Sequence, residues 1–171
     1  SLGALSVRQP GRAAYAPAAE GGKLAVATDN PEATRAALAL LDRGGNAVDG
    51  AIAAALALGV VGPSSSGIGG GGFALVYTAK DRHFNVVDFR ESAPQKIDAD
   101  ALLAREKRGP SVGVPGEPAG LEFLSRKYGK KSLAEEASPA VALAEKGFYV
   151  GKHFRDGALL FRDRVKSSAH L

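Results

Sequence analysis

Residues 66–73 read "SGIGGGGF", and five of the six residues at 67–72 are glycine. Gly67, Gly69 and Gly72 have the G-x-G-x-x-G spacing of a dinucleotide-binding loop. Such a loop lies between a strand and the helix whose N-terminus meets the pyrophosphate. Here the order is reversed, because a predicted helix precedes the glycines and a β-rich run follows them. The sequence context therefore argues against a phosphate-binding loop.

Two other roles for the glycine-rich loop remain open. Glycine has no Cβ, so it allows positive φ angles and close approach between backbones. The loop could be a crowded crossing from helix to strand, or a backbone that lines a substrate cavity. The general role of glycine favours the crowded crossing. We predict a structural loop formed by Gly67, Gly69, Gly70, Gly71 and Gly72.

The segments before the loop predict one short strand and two helices. Residues 23–28 ("KLAVAT") have the composition of a short buried strand. Asn30 is a good N-cap, the proline that follows it suits the first helical turn, and Gly44 marks a helix end. A second helix, over about 47–61, is almost wholly apolar and should therefore lie in the interior.

The segments after the loop predict a hairpin and further helices. Two β-rich runs, 73–80 and 83–91, indicate antiparallel strands joined at "DR". Helices are predicted over about 99–107, 116–128 and 132–147. This order of elements predicts an α+β fold in which helices cover a sheet.

The composition is that of one globular unit of 171 residues, 45% hydrophobic and 23% charged. The net charge is +4, but basic and acidic residues are interleaved and only 6% are aromatic, which argues against a nucleic-acid surface. No apolar stretch is long enough to span a bilayer.

Residues 1–22 lack periodicity and predict a flexible leader, so the folded unit is expected over 23–171. There is no cysteine, and the spacing of His83, His153 and His170 predicts no metal site.

Residues 88–94 ("DFRESAP") carry the most specific candidate chemistry. Arg90 and Glu91 follow an apolar strand, at a point where side chains emerge from a sheet into a crevice. A guanidinium there can hold a carboxylate by two parallel hydrogen bonds. A local ion pair between Arg90 and a neighbouring carboxylate is an equally good interpretation. Such a pair contributes little to stability where it is exposed. No nucleophile with its base is evident, although the serines at 64–66 stay open because catalytic triads assemble in space.

Several motifs, taken together and in order, point to a known family. They are "DRGGNAVDGAIAAALALGVVGP", "SGIGGGGF", "DFRESAP", "GVPGEPAGLEFLSRKYG" and "ASPAVALAEKGFYV". Over roughly residues 23–155 the chain resembles the N-terminal part of the large subunit of a γ-glutamyltransferase, one of the N-terminal-nucleophile hydrolases. Each motif is weak alone, whereas their shared order is specific.

The resemblance implies a four-layer α-β-β-α sandwich built by two subunits cut from one precursor. Such enzymes transfer the γ-glutamyl group of glutathione to water, an amino acid or a peptide. The nucleophile is a threonine at the start of the small subunit, with its own α-amino group as base. That threonine is expected beyond Leu171, so no catalytic residue is assigned here and the chain alone is expected to be inactive.

The resemblance also assigns a substrate-binding role within this chain. It implies that Arg90 binds the α-carboxylate of the glutamyl substrate and that Glu91 helps to orient Arg90. It implies the small subunit as partner, no cofactor, and a periplasmic or secreted location. Two alternatives remain: an acylase of the same fold that removes a glutaryl group from a β-lactam, and a non-catalytic fragment or scaffold module.

Overall fold

The computed structural model describes residues 22–96, 100, 112–160 and 162–166. The predicted leader lies outside these ranges except for Gly22, and so does the helix predicted over 99–107 except for Asp100. The elements of the described residues are α1 (Pro31–Asp42), α2 (Ala47–Val61), β1 (Phe73–Thr78), β2 (His83–Asp88), α3 (Glu117–Tyr128), α4 (Leu133–Lys146), α5 (Lys152–Leu160) and α6 (Arg162–Lys166).

Helices α1 and α2 begin at their predicted residues, and each is preceded by a capping asparagine. The Oδ1 atom of Asn30 accepts a hydrogen bond from the backbone N–H of Glu32 at 2.8 Å, which satisfies one free donor of α1. Asn46 caps α2 in the same way and accepts from Val48 N at 2.8 Å. The carboxylate of Asp49 accepts in return from Asn46 N, which completes a capping box. The predicted bounds of both helices are therefore confirmed.

Asn46 also joins α2 to the end of α3. Its replacement is therefore expected to lower the stability of the protein more than the loss of a cap alone would. Its Nδ2 atom donates to the carbonyl of Tyr128 at 2.6 Å. Asn46→Ala removes both contacts, and we expect a loss of about 2 kcal/mol in the free energy of unfolding, measured with urea. Asn46→Ser keeps a capping oxygen but not the amide donor, so it should lose less. Equal stability of all three proteins would contradict this account.

Helix α2 is the centre of the core. One side of it packs with α1 and α4 through a cluster in which seven of eight buried residues are alanine. Small side chains let helix backbones approach closely and leave few voids. The opposite side packs through Ile52 against Leu121 and Leu124 of α3 and against the sheet. The prediction that this apolar helix lies in the interior is thus confirmed.

Strands β1 and β2 form the predicted antiparallel hairpin. Phe73 pairs with Asp88 at one end and Thr78 with His83 at the other. Strand β1 ends at Thr78 and not at residue 80, because residues 79–82 form a four-residue turn, and β2 ends at Asp88 and not at residue 91. One face of the hairpin packs on α2 and α3. The other face carries large apolar side chains that are all at least half exposed, and we call it the open sheet face: Phe73, Leu75, Tyr77, Phe84 and Val86.

Two parts of the chain differ from the sequence-based prediction. No strand forms over 23–28, where Lys23, Leu24 and Ala25 are exposed and only Val26 packs on the core. A strand needs a partner, and the two-stranded sheet of the described residues does not extend to this segment. Helix α5 was not predicted, because Gly151 precedes it in place of a capping side chain.

No helix within the described ranges is both long enough and apolar enough to cross a membrane.

Candidate substrate-binding site

Arg90 stands where the chain leaves the sheet. Strand β2 ends at Asp88, whose Oδ1 atom accepts a hydrogen bond from the backbone N–H of Arg90 at 3.0 Å. Two residues later, Ser92 forms an antiparallel bridge with Val114. The segment that carries Arg90 is therefore held on both sides, by the Asp88 side chain on one and by the bridge between Ser92 and Val114 on the other.

Phe89 is enclosed by three glycines that fix the position of this segment. A Cβ on Gly71 would lie 2.3 Å from the carbonyl oxygen of Phe89, and a Cβ on Gly116 would lie 2.1 Å from the same atom. A Cβ on Gly120 would lie 2.3 Å from Cγ of the Phe89 ring. We call Gly71, Gly116 and Gly120 the glycine clamp. No side chain fits at these positions, so Arg90 emerges from a closely packed base.

The glycine-rich loop divides into crowded and open positions. A Cβ on Gly59 of α2 would lie 2.9 Å from Cα of Gly67, which itself has a φ of 137°. A Cβ on Gly72 would lie 3.3 Å from the Phe89 ring, whereas Gly69 has open space around it. The loop is therefore both a crowded crossing and part of a cavity lining, and Gly67 and Gly71 belong to both.

A polar cavity of about 490 Å³ opens between the loop and the end of β2. The side chain of Arg90 is 59% exposed, and its Nε lies 3.4 Å from Oε2 of Glu91. The ion pair considered from the sequence is therefore present, and the guanidinium is still accessible to a ligand. The cavity is lined by Pro63, Ser64, Ser65, Ser66, Gly67, Gly69, Gly70, Gly71, Arg90, Glu91 and Glu117.

Glu117 is the lining residue that sequence reasoning missed. It is the first residue of α3 and is only 9% exposed. Its backbone N–H and that of Gly116 both donate to the carbonyl of Gly70 at 3.0 Å, which ties the helix to the loop. Burial, and after it the charge of Glu91, raises the pKa of Glu117 above its usual value. A carboxyl at the start of a helix is ordinary, so its sequence position alone gave no signal.

The cavity brings one guanidinium together with the carboxyl groups of Glu91 and Glu117. A guanidinium at its rim can bind a carboxylate through charge-assisted hydrogen bonds. Its serine side has hydroxyls but no histidine, because the described histidines, His83 and His153, are not among the lining residues. No threonine lines it either. Of the residues singled out in the sequence, Arg90, Glu91 and the glycine-rich loop lie together at this cavity.

Known proteins match both the sequence and the fold of this chain. The sequence model of the family described as Gamma-glutamyltranspeptidase matches residues 33–166. The glutathione hydrolase proenzyme of Bacillus subtilis (strain 168) is 36% identical over 154 residues, which are 84% of this chain and 26% of that protein. The structure of Helicobacter pylori gamma-glutamyltranspeptidase has a TM-score of 0.80 and 33% identity, and the match covers 90% of this chain and 46% of that chain. The structure of a cephalosporin acylase from Bacillus halodurans has a TM-score of 0.73 and 32% identity, over 93% of this chain and 32% of that chain.

These matches decide the fold class and the family. The expected N-terminal-nucleophile hydrolase fold is confirmed, since the structural neighbours have it and the chain matches part of it. The chain spans 26% of the length of the Bacillus subtilis relative, so it corresponds to a part of such an enzyme. The length of the family match and the shared structure together lead to one conclusion: the chain belongs to the gamma-glutamyltranspeptidase family.

Proposed function

We propose that this chain is the substrate-anchoring part of an enzyme that hydrolyses or transfers the γ-glutamyl group of glutathione and related amides. The observation that carries the proposal is the exposed guanidinium of Arg90 at the rim of the polar cavity. Relatives named glutathione hydrolase support the choice of substrate. The glycine clamp supports it as well, because it fixes the backbone from which the Arg90 side chain extends.

In the proposed reaction, Arg90 binds the α-carboxylate of the γ-glutamyl substrate and Glu91 orients Arg90. The hydroxyl of a threonine outside this chain attacks the γ-carbonyl, and the α-amino group of that threonine takes the proton. The amide C–N bond breaks, the proton passes to the leaving amine, and a γ-glutamyl-threonyl ester remains. Water or an acceptor amine then attacks the ester, which releases the γ-glutamyl product and regenerates the threonine.

The proposed partner is the rest of the same precursor, packed on the open sheet face. Two sheets that pack face to face bury the apolar side chains of their inner faces about 10 Å apart. Five large exposed apolar residues on one small hairpin are what one half of such a sandwich presents. The chain alone is therefore expected to be inactive. We further propose that the complete enzyme is exported, to the periplasm or the medium.

A glutaryl acylase is the second candidate, and the match to the cephalosporin acylase supports it. A glutaryl group has a terminal carboxylate that Arg90 could hold equally well, but it has no α-ammonium group. The two candidates therefore differ in what they require at the α-carbon of the substrate.

A direct comparison of two chromogenic anilides on the complete protein tests the proposed function. We expect γ-glutamyl-p-nitroanilide to be turned over at least about tenfold faster than glutaryl-p-nitroanilide, a preference of about 1.4 kcal/mol in the transition state. Faster turnover of the glutaryl anilide would replace the proposal with an acylase. No turnover of either anilide by a correctly folded and processed protein would support a scaffold module instead.

A further inference from the structure

Two carboxyl side chains are completely buried, and neither lines the substrate cavity. Asp49 in the first turn of α2 and Glu136 in the first turn of α4 are both 0% exposed. They meet beside Gly129, which follows the end of α3. A Cβ on Gly129 would lie 2.8 Å from Oδ1 of Asp49 and 3.2 Å from Oε1 of Glu136. The two acids therefore occupy one small space where three helices converge.

Asp49 has hydrogen-bond donors on both of its oxygens. Its Oδ1 atom accepts from the backbone N–H of Lys130 at 2.8 Å and of Lys131 at 3.0 Å, and its Oδ2 atom accepts from Asn46 N. Burial by itself raises the pKa of Asp49, but these backbone donors outweigh burial, and the net pKa lies below the usual value. Asp49 is thus the ionised member of the pair.

Glu136 lacks such donors. Neither of its carboxyl oxygens accepts a hydrogen bond of ordinary geometry from the described residues. Burial first, and then the neighbouring carboxylates of Asp49 and Glu135, raise its pKa to about 7, although the nearby hydroxyl of Ser125, which lies outside that geometry, favours the ionised form. The charge of Glu136 is therefore disfavoured by its surroundings.

The cations near this junction are engaged elsewhere. Lys131 Nζ lies 3.7 Å from Oε1 of Glu135, on the exposed side of α4. Arg43 at the end of α1 reaches the carbonyl of Glu135 and the hydroxyl of Ser138, each at 3.5 Å. Neither cation neutralises Glu136 in this arrangement.

Two buried carboxyl groups side by side are most stable when they hold one proton between them. Ionised carboxylates only accept hydrogen bonds, so two of them in contact repel and leave buried acceptors unsatisfied. A single proton turns one carboxyl into a donor and removes one charge. We propose that Asp49 and Glu136 share one proton, which closes the junction of α2, α3 and α4, and that loss of this proton loosens the junction.

The direction of the pH effect follows from the shift at Glu136. Its pKa is raised on folding from about 4.5 to about 7, so the folded state binds more protons than the unfolded state between these values. The stabilisation is therefore fully present below pH 4.5, declines as the pH rises through this window, and is lost above about pH 7. Within the window the unfolding equilibrium constant rises by up to about tenfold per pH unit.

Urea unfolding of the intact protein at pH 5, 6, 7 and 8 tests the proposal. Glu136→Gln keeps the shape and donates an N–H to Asp49 at every pH, so its stability should not decline across this range as that of the wild type does. Glu145→Gln, an exposed change on the same helix, should keep the wild-type pH dependence. Equal pH dependence of wild type and Glu136→Gln would overturn the proposal.

If Glu136→Gln does not fold, a second variant and a direct titration still test whether Asp49 and Glu136 share a proton. Glu136→Leu removes the ionisable group and fills a similar volume, so it should also lose the extra pH dependence. In the wild type, the side-chain carboxyl carbon of Glu136 should titrate near pH 7 by NMR. Titration near pH 4.5 would overturn the proposal, whatever the variants do.

Discussion

Gly71→Ala is expected to destabilise the protein by about 3 kcal/mol or more, the upper range for overpacking of a closely packed site. The added methyl would lie 2.3 Å from the carbonyl oxygen of Phe89 and 2.9 Å from the backbone nitrogen of Glu91. Both neighbours are backbone atoms, so no side-chain rotation can relieve the contact. The midpoint of urea unfolding measures the effect.

Gly69→Ala is the matched control, because it lies two positions away in the same loop and has nothing within 4 Å of its Cβ position. Its φ is also not in the positive range that disfavours alanine. We expect it to change stability by less than about 0.5 kcal/mol, as is usual for surface substitutions. Equal stability of the two variants would show that the loop is not crowded at Gly71.

Arg90→Ala should abolish most substrate binding by the complete enzyme without unfolding it. If the guanidinium is desolvated when substrate is bound, the lost ion pair corresponds to about 2–5 kcal/mol of binding free energy. The side chain is exposed in this chain and pairs only with its neighbour Glu91, so the fold should keep its thermal midpoint. The KM for γ-glutamyl-p-nitroanilide and the melting temperature measure the two effects separately.

Two further variants make the result at Arg90 specific. Arg90→Lys keeps the charge but not the planar fork of donors, so its loss should be intermediate. Arg126→Ala removes an 81% exposed arginine that pairs with Glu122 on the far part of α3, and it should bind substrate normally. An unchanged KM in Arg90→Ala would remove the anchoring role.

The parts of the fold that the sequence predicts are those in which local signals agree. Asn30 has the residue type of a cap, α2 is apolar on all sides, and the β-rich runs on either side of the turn have the residues of strands. These features depend on neighbours within a few positions in sequence, so they could be identified before the structure was known. The role of Arg90, by contrast, came from resemblance to a family, because an ion pair and an anchor look alike in sequence.

The missed features depend on contacts between distant segments. Residues 23–28 have strand composition, but composition does not provide a partner strand. In the sequence, Glu117 is an ordinary residue of a first helical turn. Its burial depends on the glycine-rich loop, which is distant in sequence. Glu136 follows Glu135 in sequence, and only the packing of α4 on α2 shows that one of the two adjacent acids is buried and the other exposed.

The open sheet face has a consequence for biosynthesis. A chain released alone would expose this apolar surface to other copies of itself, which favours aggregation. If the proposed partner is made in the same polypeptide, the segment that covers this face has an effective local concentration on the order of millimolar. The face can then be covered within the same molecule before another copy is encountered. A precursor that is cut only after folding would therefore act as its own chaperone.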